Sequence, residues 1–139
     1  MSAASDYLEN ALINAICRGV DFTSPSKTYV ALHTANPGET GNNEVSTAAY
    51  PAYTRQDAAK GGTQADAWTA PTDGVVKNAL QLIWPMYDGS APLTVTHFSV
   101  WDAETGGNLL FYAPLASART INNGDVFVAD AQKLTAQVL

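Results

Sequence analysis

Asp102 and Glu104 in one Gly-containing turn, and Asp88 beside Gly89 and Ser90, are the acidic residues whose spacing can offer oxygen ligands to a hard cation. A calcium loop brings more carboxylate or amide ligands at regular spacing. Both stretches therefore read as solvated turns, and no metal is expected. The histidines are His33 and His97 and the single cysteine is Cys17, with no close spacing among them, so a zinc site would need carboxylates that nothing identifies. His33, at the end of a strand, reads as a surface or hydrogen-bonded residue, and His97 is too distant in sequence to be assigned as its partner. There is no Gly-rich phosphate loop ending in Lys-Ser or Lys-Thr, no G-x-S-x-G elbow and no H-E-x-x-H helix. Nothing places a glycosidase-like pair of carboxylates on adjacent inward positions of a cleft. No catalytic residue and no cofactor is expected, and the chain reads as a building block.

Recognition by shape is the remaining chemistry. Tyr50, Tyr53, Trp68, Trp84, Tyr87, Trp101 and Tyr112 are numerous enough for a stacking platform, although core burial accounts for about half of them. Trp101, on the strand face opposite Phe98 and Val100 and beside a turn, is the leading anchor for an interface. If the register runs the other way, the same alternation turns it inward. Tyr50 and Tyr53, with Asn36 and Pro37 from a loop rich in turn residues, complete the interface candidates.

These residues must be held by a β framework. The run Thr96-His97-Phe98-Ser99-Val100-Trp101 alternates, a polar connector follows from Asp102 to Gly107, and Leu109 and Phe111 then alternate with Leu110 and Tyr112, which predicts a hairpin. Further strands are expected at Lys27 to Thr34, Ala49 to Gln56, Ala79 to Trp84, Ala118 to Ile121, Asp125 to Ala129 and Lys133 to Leu139. Pro51 pushes the second of these toward a sheet edge. Ahead of them, Leu8, Leu12, Ile13, Ile16 and Cys17 recur at helical spacing within 5–19. Asp6 with Glu9 forms a capping-box variant, and Gly19 supplies the stop. Cys17 reads as a small core residue, and the helix as a cover for one end or edge of a sheet in preference to one exported to grip a neighbouring subunit. Long loops at about 35–48 and 57–67 are the irregular part.

The 139 residues make one ordinary domain, able to bury roughly two-thirds of its unfolded surface. The fold class expected is mainly β: an antiparallel β-sandwich of jelly-roll type over 27–139, preceded by one N-terminal α-helix. A net charge of −6, with seven scattered basic residues, argues against nucleic-acid binding, and no apolar run is long enough to cross a membrane. The N-terminus lacks a basic region followed by an uninterrupted apolar run, and the chain is expected to be made and kept in a host cytoplasm before assembly into the virion.

Three stretches resemble a known group. Thr96-His97-Phe98 with Asp102 and Thr105-Gly106-Gly107-Asn108-Leu109-Leu110, the turn Thr120-Ile121-Asn122-Asn123-Gly124-Asp125 and the last strand Leu134-Thr135-Ala136-Gln137-Val138 are similar to small tailed-bacteriophage virion proteins. So are Ser5-Asp6-Tyr7-Leu8-Glu9-Asn10-Ala11-Leu12, Arg18-Gly19 and Tyr29-Val30-Ala31-Leu32 at the other end, while Gly38 to Ala70 departs in length and composition. The resemblance implies a structural role in the virion. A compact, acidic domain without catalytic groups fits best as a capsid decoration or cement protein, bound to the major capsid protein on the outer shell and to itself as a homodimer or homotrimer. The alternative is a tail-fibre or head-tail collar component that contacts a host receptor, and the third reading is an enzyme or ligand binder with an unrecognised site.

Overall fold

A computed structural model describes residues 3–138. Helix α1 spans Asp6–Arg18, and the described residues hold nine strands: β1 Ala3–Ala4, β2 Tyr29–His33, β3 Gln56–Asp57, β4 Val75–Lys77, β5 Leu82–Ile83, β6 Leu93–Trp101, β7 Leu109–Ile121, β8 Val128–Ala129 and β9 Thr135–Gln137. The largest sheet is antiparallel, in the order β1-β7-β6-β2-β3, and the strand pairs β4–β9 and β5–β8 form two-stranded ribbons. The strand count led to the expectation of the two sheets of a jelly roll. The remaining strands β4, β5, β8 and β9 are instead two or three residues long and pair only two by two, so no second full sheet is built.

The β6–β7 hairpin is the spine. Phe98 and Val100 of β6 face the main core with their ladder partners Ala113 and Phe111 of β7, and a register slip between Val100 and Trp101 turns Leu110 to the same side, which breaks the expected alternation of Leu109 and Phe111 with Leu110 and Tyr112. β7 is one strand, not two. Its stretch from Leu115 to Ala118 swells into a bulge where the register slips between Val95 and His97, so the expected separate strand at Ala118 to Ile121 joins the same ladder. Across β6 lies β2, with Val30 opposite Val100 and Leu32 opposite Phe98.

The ribbons close over this sheet with aromatic side chains. Trp84 meets Phe127 edge to face at 5.4 Å, and Tyr50 meets Tyr87 in the same way at 5.0 Å. Leu80, Leu82 and Trp84, which alternate with Ala79, Gln81 and Ile83, are the residues expected in the core; Leu82 and Trp84 are buried there with Ile83 exposed between them, but Leu80 is only half-buried. At the chain's end Leu134 and Ala136 point inward but Val138 is 46% exposed. The expected strand from Ala49 to Gln56 is not formed: Tyr50 lies in a turned segment, and only Gln56 and Asp57 pair, at the sheet edge. Pro51 has no N–H to give a ladder, and the preceding chain folds into turns.

Helix α1 has the expected bounds, but its cap lies one residue ahead of the Asp6–Glu9 pair read as a capping-box variant. Ser5 is the N-cap: its side chain accepts a hydrogen bond from the Leu8 amide at 3.2 Å and donates to the Leu109 carbonyl, tying the helix to β7. Gly19 closes the other end at φ 66°, a left-handed conformation that a side chain would resist. Leu8 is buried, with Leu12 packed against the core, whereas Ile13 and Ile16 are 60% and 82% exposed. Cys17 is exposed as well, a correction to its assignment as a core residue. Helical spacing shows that two apolar stripes exist, but only the sheet decides which one is covered.

Candidate functional site

Residues from three elements converge on the outer face of β6, at the tip of the hairpin. Trp101 is 8% exposed and packs with Ala31 and Leu109 in a small second core, on the face opposite Phe98 and Val100. Arg55 covers it, with its guanidinium carbon 4.0 Å from the ring centroid. The same guanidinium forms a forked pair with Glu44, Nε to Oε2 and Nη2 to Oε1, both at 2.9 Å. Its Nη1 donates to the carbonyls of Ala103 at 3.0 Å and Gly106 at 2.8 Å, in the hairpin turn. One arginine thus clamps the 44–55 loop to the 102–107 turn.

Below the clamp runs a chain of buried hydrogen bonds. Trp101 Nε1 donates to Ser99 Oγ at 2.7 Å, Ser99 Oγ lies 2.6 Å from His33 Nε2, and His33 Nδ1 lies 2.8 Å from the Asn42 carbonyl. A carbonyl can only accept, so Nδ1 carries the proton, Nε2 accepts, and the Ser99 hydroxyl donates to it. Burial, opposed by the Asn42 carbonyl and by Glu44, holds His33 below its usual pKa, in the neutral form that this pattern needs. Beside it, burial acts to raise Glu44, but the hydrogen bonds from Arg55 and Tyr53 outweigh it and keep the carboxylate below its usual range. Tyr53 donates to Glu44 Oε2 at 2.8 Å and accepts from the Leu32 amide at 3.0 Å. Its hydroxyl is pushed far up by burial and by that carboxylate.

Ser99 and His33 have the contact distance of a nucleophile and its base. Both are 0% exposed, and the Trp101 indole fills the space over Ser99 Oγ, so no substrate atom reaches the hydroxyl. Beside the clamp a shallow pocket of about 220 Å³ is lined by Glu44, Thr47, Tyr53, Thr54, Glu104 and Thr105. The acidic turn residues accept hydrogen bonds from within the fold. Asp102 accepts from the Asn108 amide at 2.7 Å and its side chain at 2.9 Å, Glu104 accepts from Thr54 at 3.3 Å, and Asp88 accepts from the Ala52 amide at 3.1 Å. Among the described residues no three His, Cys, Asp or Glu side chains converge as metal ligands.

Of the interface candidates, the fold brings Trp101 and Tyr53 to this cluster and leaves Tyr50 in the core at 0% exposure. Tyr50 donates there to the Pro85 carbonyl. Pro37 is buried, and Asn36 is exposed, with its side chain accepting from the Gly38 amide at 3.0 Å. His33 and His97, unpaired in the sequence reading, stand directly opposite in the β2–β6 ladder. Arg55, Glu44 and Ser99 were missed, since nothing in their spacing announces an ion pair that forms only when a loop folds over a strand.

The model of the family described as Podophage GP4 fiber I protein gp80 matches residues 3–137. The chain belongs to this family. It is a family of tailed-phage virion structural proteins, and the match runs through the Gly38 to Ala70 segment as well as both ends. No curated protein matches the chain.

Proposed function

We propose that the chain is a non-enzymatic structural subunit of a podophage tail fibre. The family match supports this reading: it spans nearly all the described chain, and the family's name is that of a podophage fibre protein. The site geometry is in keeping with it. The polar groups of the Trp101 cluster satisfy one another, which makes the cluster a lock that fixes loop positions. Decoration of the outer capsid, bound to the major capsid protein, is the less favoured reading, because nothing in the fold or the family name draws the chain to the shell. In the fibre reading the immediate partners are tail proteins, no nucleic acid or membrane is engaged, and no cofactor is held.

Copy number and position test the proposal together. Quantitative densitometry of purified virions should give a number of copies fitting the few fibres of a tail, and gold-labelled antibody should decorate the tail. Hundreds of copies, with gold spread over the head, would return the chain to the shell.

A further inference from the structure

A second cavity, of about 220 Å³, is walled by Leu115, Ser117, Arg119, Asp130, Lys133 and Leu134 and shares no residue with the Trp101 cluster. One wall is the β7 bulge, where Leu115, Ala116, Ser117 and Ala118 have no partner in the β6 ladder between Pro114 and Arg119. The other wall is the 130–134 turn, which the buried side chain of Asn78 pins at both ends. Asn78 Nδ2 donates to the Asp130 carbonyl at 2.9 Å, and Asn78 Oδ1 accepts from the Leu134 amide at 2.8 Å. Within the turn Gln132 is held at φ 65°, a left-handed conformation that a residue other than glycine adopts at a cost. The turn that carries Asp130 and Lys133 is thus fixed in place by the fold.

Arg119 is held as firmly, yet it has no carboxylate. Its guanidinium carbon lies 4.6 Å from the Phe127 ring centroid and its Nη1 donates to the Val128 carbonyl, which leaves Nε and Nη2 without a partner among the described residues. Neither Arg119 nor Lys133 forms an ion pair among the described residues, although the chain is acidic and Lys27 and Arg55 both do. Asp130 lines the same cavity, but its Oδ1 accepts from Gln81 Nε2 at 2.7 Å and it stands beyond ion-pair reach of both cations. A bare oxyanion entering here would meet two cations and a repelling carboxylate. A hydroxylated anion uses all three, because its charged group takes the cations while a hydroxyl donates to Asp130. Leu115 and Leu134 offer an apolar wall for the C–H face of a ring. The cavity is smaller than the roughly 300–1,000 Å³ that drug-sized ligands fill, which limits the occupant to about one ring. We infer that this cavity binds a single acidic sugar residue, its carboxylate or phosphate held by Arg119 and Lys133 and its hydroxyls by Asp130 and Ser117. The site goes beyond the fibre reading and does not depend on it.

Titration of the isotope-labelled full chain with glucuronate, glucose-6-phosphate, glucose and inorganic phosphate, followed by nuclear magnetic resonance at the Ser117 and Lys133 amides, tests the site. At least one acidic sugar should shift these signals saturably, with glucose and inorganic phosphate binding about tenfold more weakly or less. Saturation by glucuronate alone assigns a carboxylate, and by glucose-6-phosphate alone a phosphate. Lys133 is exposed, so Lys133→Met should leave the rest of the amide spectrum in place and weaken the acidic sugar about tenfold. Asp130→Ala should narrow the preference for the acidic sugar over inorganic phosphate by about tenfold, because a hydrogen bond to the sugar and a repulsion of the bare anion are lost together. That narrowing separates a ligand contact from a merely structural role, since loosening the turn would weaken both probes alike. No saturable shift with either acidic sugar, inorganic phosphate binding as tightly as the sugars, or undiminished binding by Lys133→Met overturns the assignment.

Discussion

The Trp101 indole N–H points into the sheet, not out of it, and donates to Ser99 Oγ at 2.7 Å on the same strand. That bond settles the proton arrangement of its neighbourhood, since Ser99 then gives its own proton to His33. Trp84 offers a natural comparison, because its indole nitrogen is buried with no hydrogen-bond partner among the described residues. Trp101→Phe should therefore cost about 1 kcal/mol more than Trp84→Phe, the difference being one buried hydrogen bond. Urea unfolding of the two variants measures it, and equal losses would show that the Trp101–Ser99 bond contributes nothing.

Acid should weaken the fold through His33. Its pKa is lowered in the folded state, chiefly by burial, so the unfolded chain takes up the proton first as pH falls. The stabilisation is fully present above the unfolded value of 6.5 and declines below it, by at most about 1.4 kcal/mol per pH unit for one proton. His97, also lowered mainly by burial, acts in the same direction. Glu44 is held below 4.5, so its contribution is lost only in stronger acid. His33→Gln should be less stable than the native chain at pH 7 and show a flatter decline between pH 7 and pH 5. An unchanged slope would remove His33 as the cause.

The Arg55 clamp should be the most sensitive polar position. Its side chain is 8% exposed and that of Glu44 23%, so Arg55→Met strands a half-buried carboxylate and frees the turn carbonyls of Ala103 and Gly106. A loss of about 3 kcal/mol or more is expected, and the double change Arg55→Met with Glu44→Gln should recover part of it. Arg55→Lys should rescue poorly, because an ammonium cannot fork to Glu44 while stacking on Trp101. Thermal and urea unfolding of the set decides this.

Gly41→Ala tests how tightly the loop sits on the indole. Gly41 has φ 76°, and an added Cβ would overlap the Trp101 ring, so backbone strain and collision act together. A drop of roughly 2 kcal/mol in unfolding free energy, with a changed Trp101 fluorescence, is the expected outcome. A neutral substitution would mean that the loop moves away at little cost.

The hairpin and the helix were legible because each rests on local periodicity: Phe98 and Val100 alternate with Ser99 and Trp101, and Leu8 and Leu12 recur a turn apart before Gly19. What depends on distant pairing was not. Ser5 and Asp6 are both good caps, and the bond from Ser5 to the Leu109 carbonyl, 104 residues away, makes the choice. Ile16 and Cys17 fit a buried stripe as well as an open one until β7 covers the other side. The strand at Ala49 to Gln56 failed because Tyr50 and Tyr53 have strand-forming side chains but are used as core and clamp residues in a turned segment. The Trp101 cluster draws on β2, the 42–55 loops and the hairpin, and no single segment carries its pattern.

The most direct test of the account is a cryo-electron microscopy map of the intact virion at a resolution that shows side chains. The β6–β7 hairpin, with Trp101 beneath Arg55, should fit density in the tail fibre, with no polar cleft opened around Ser99. Density for the same hairpin in the capsid lattice, or Ser99 and His33 lining an open cleft, would contradict it.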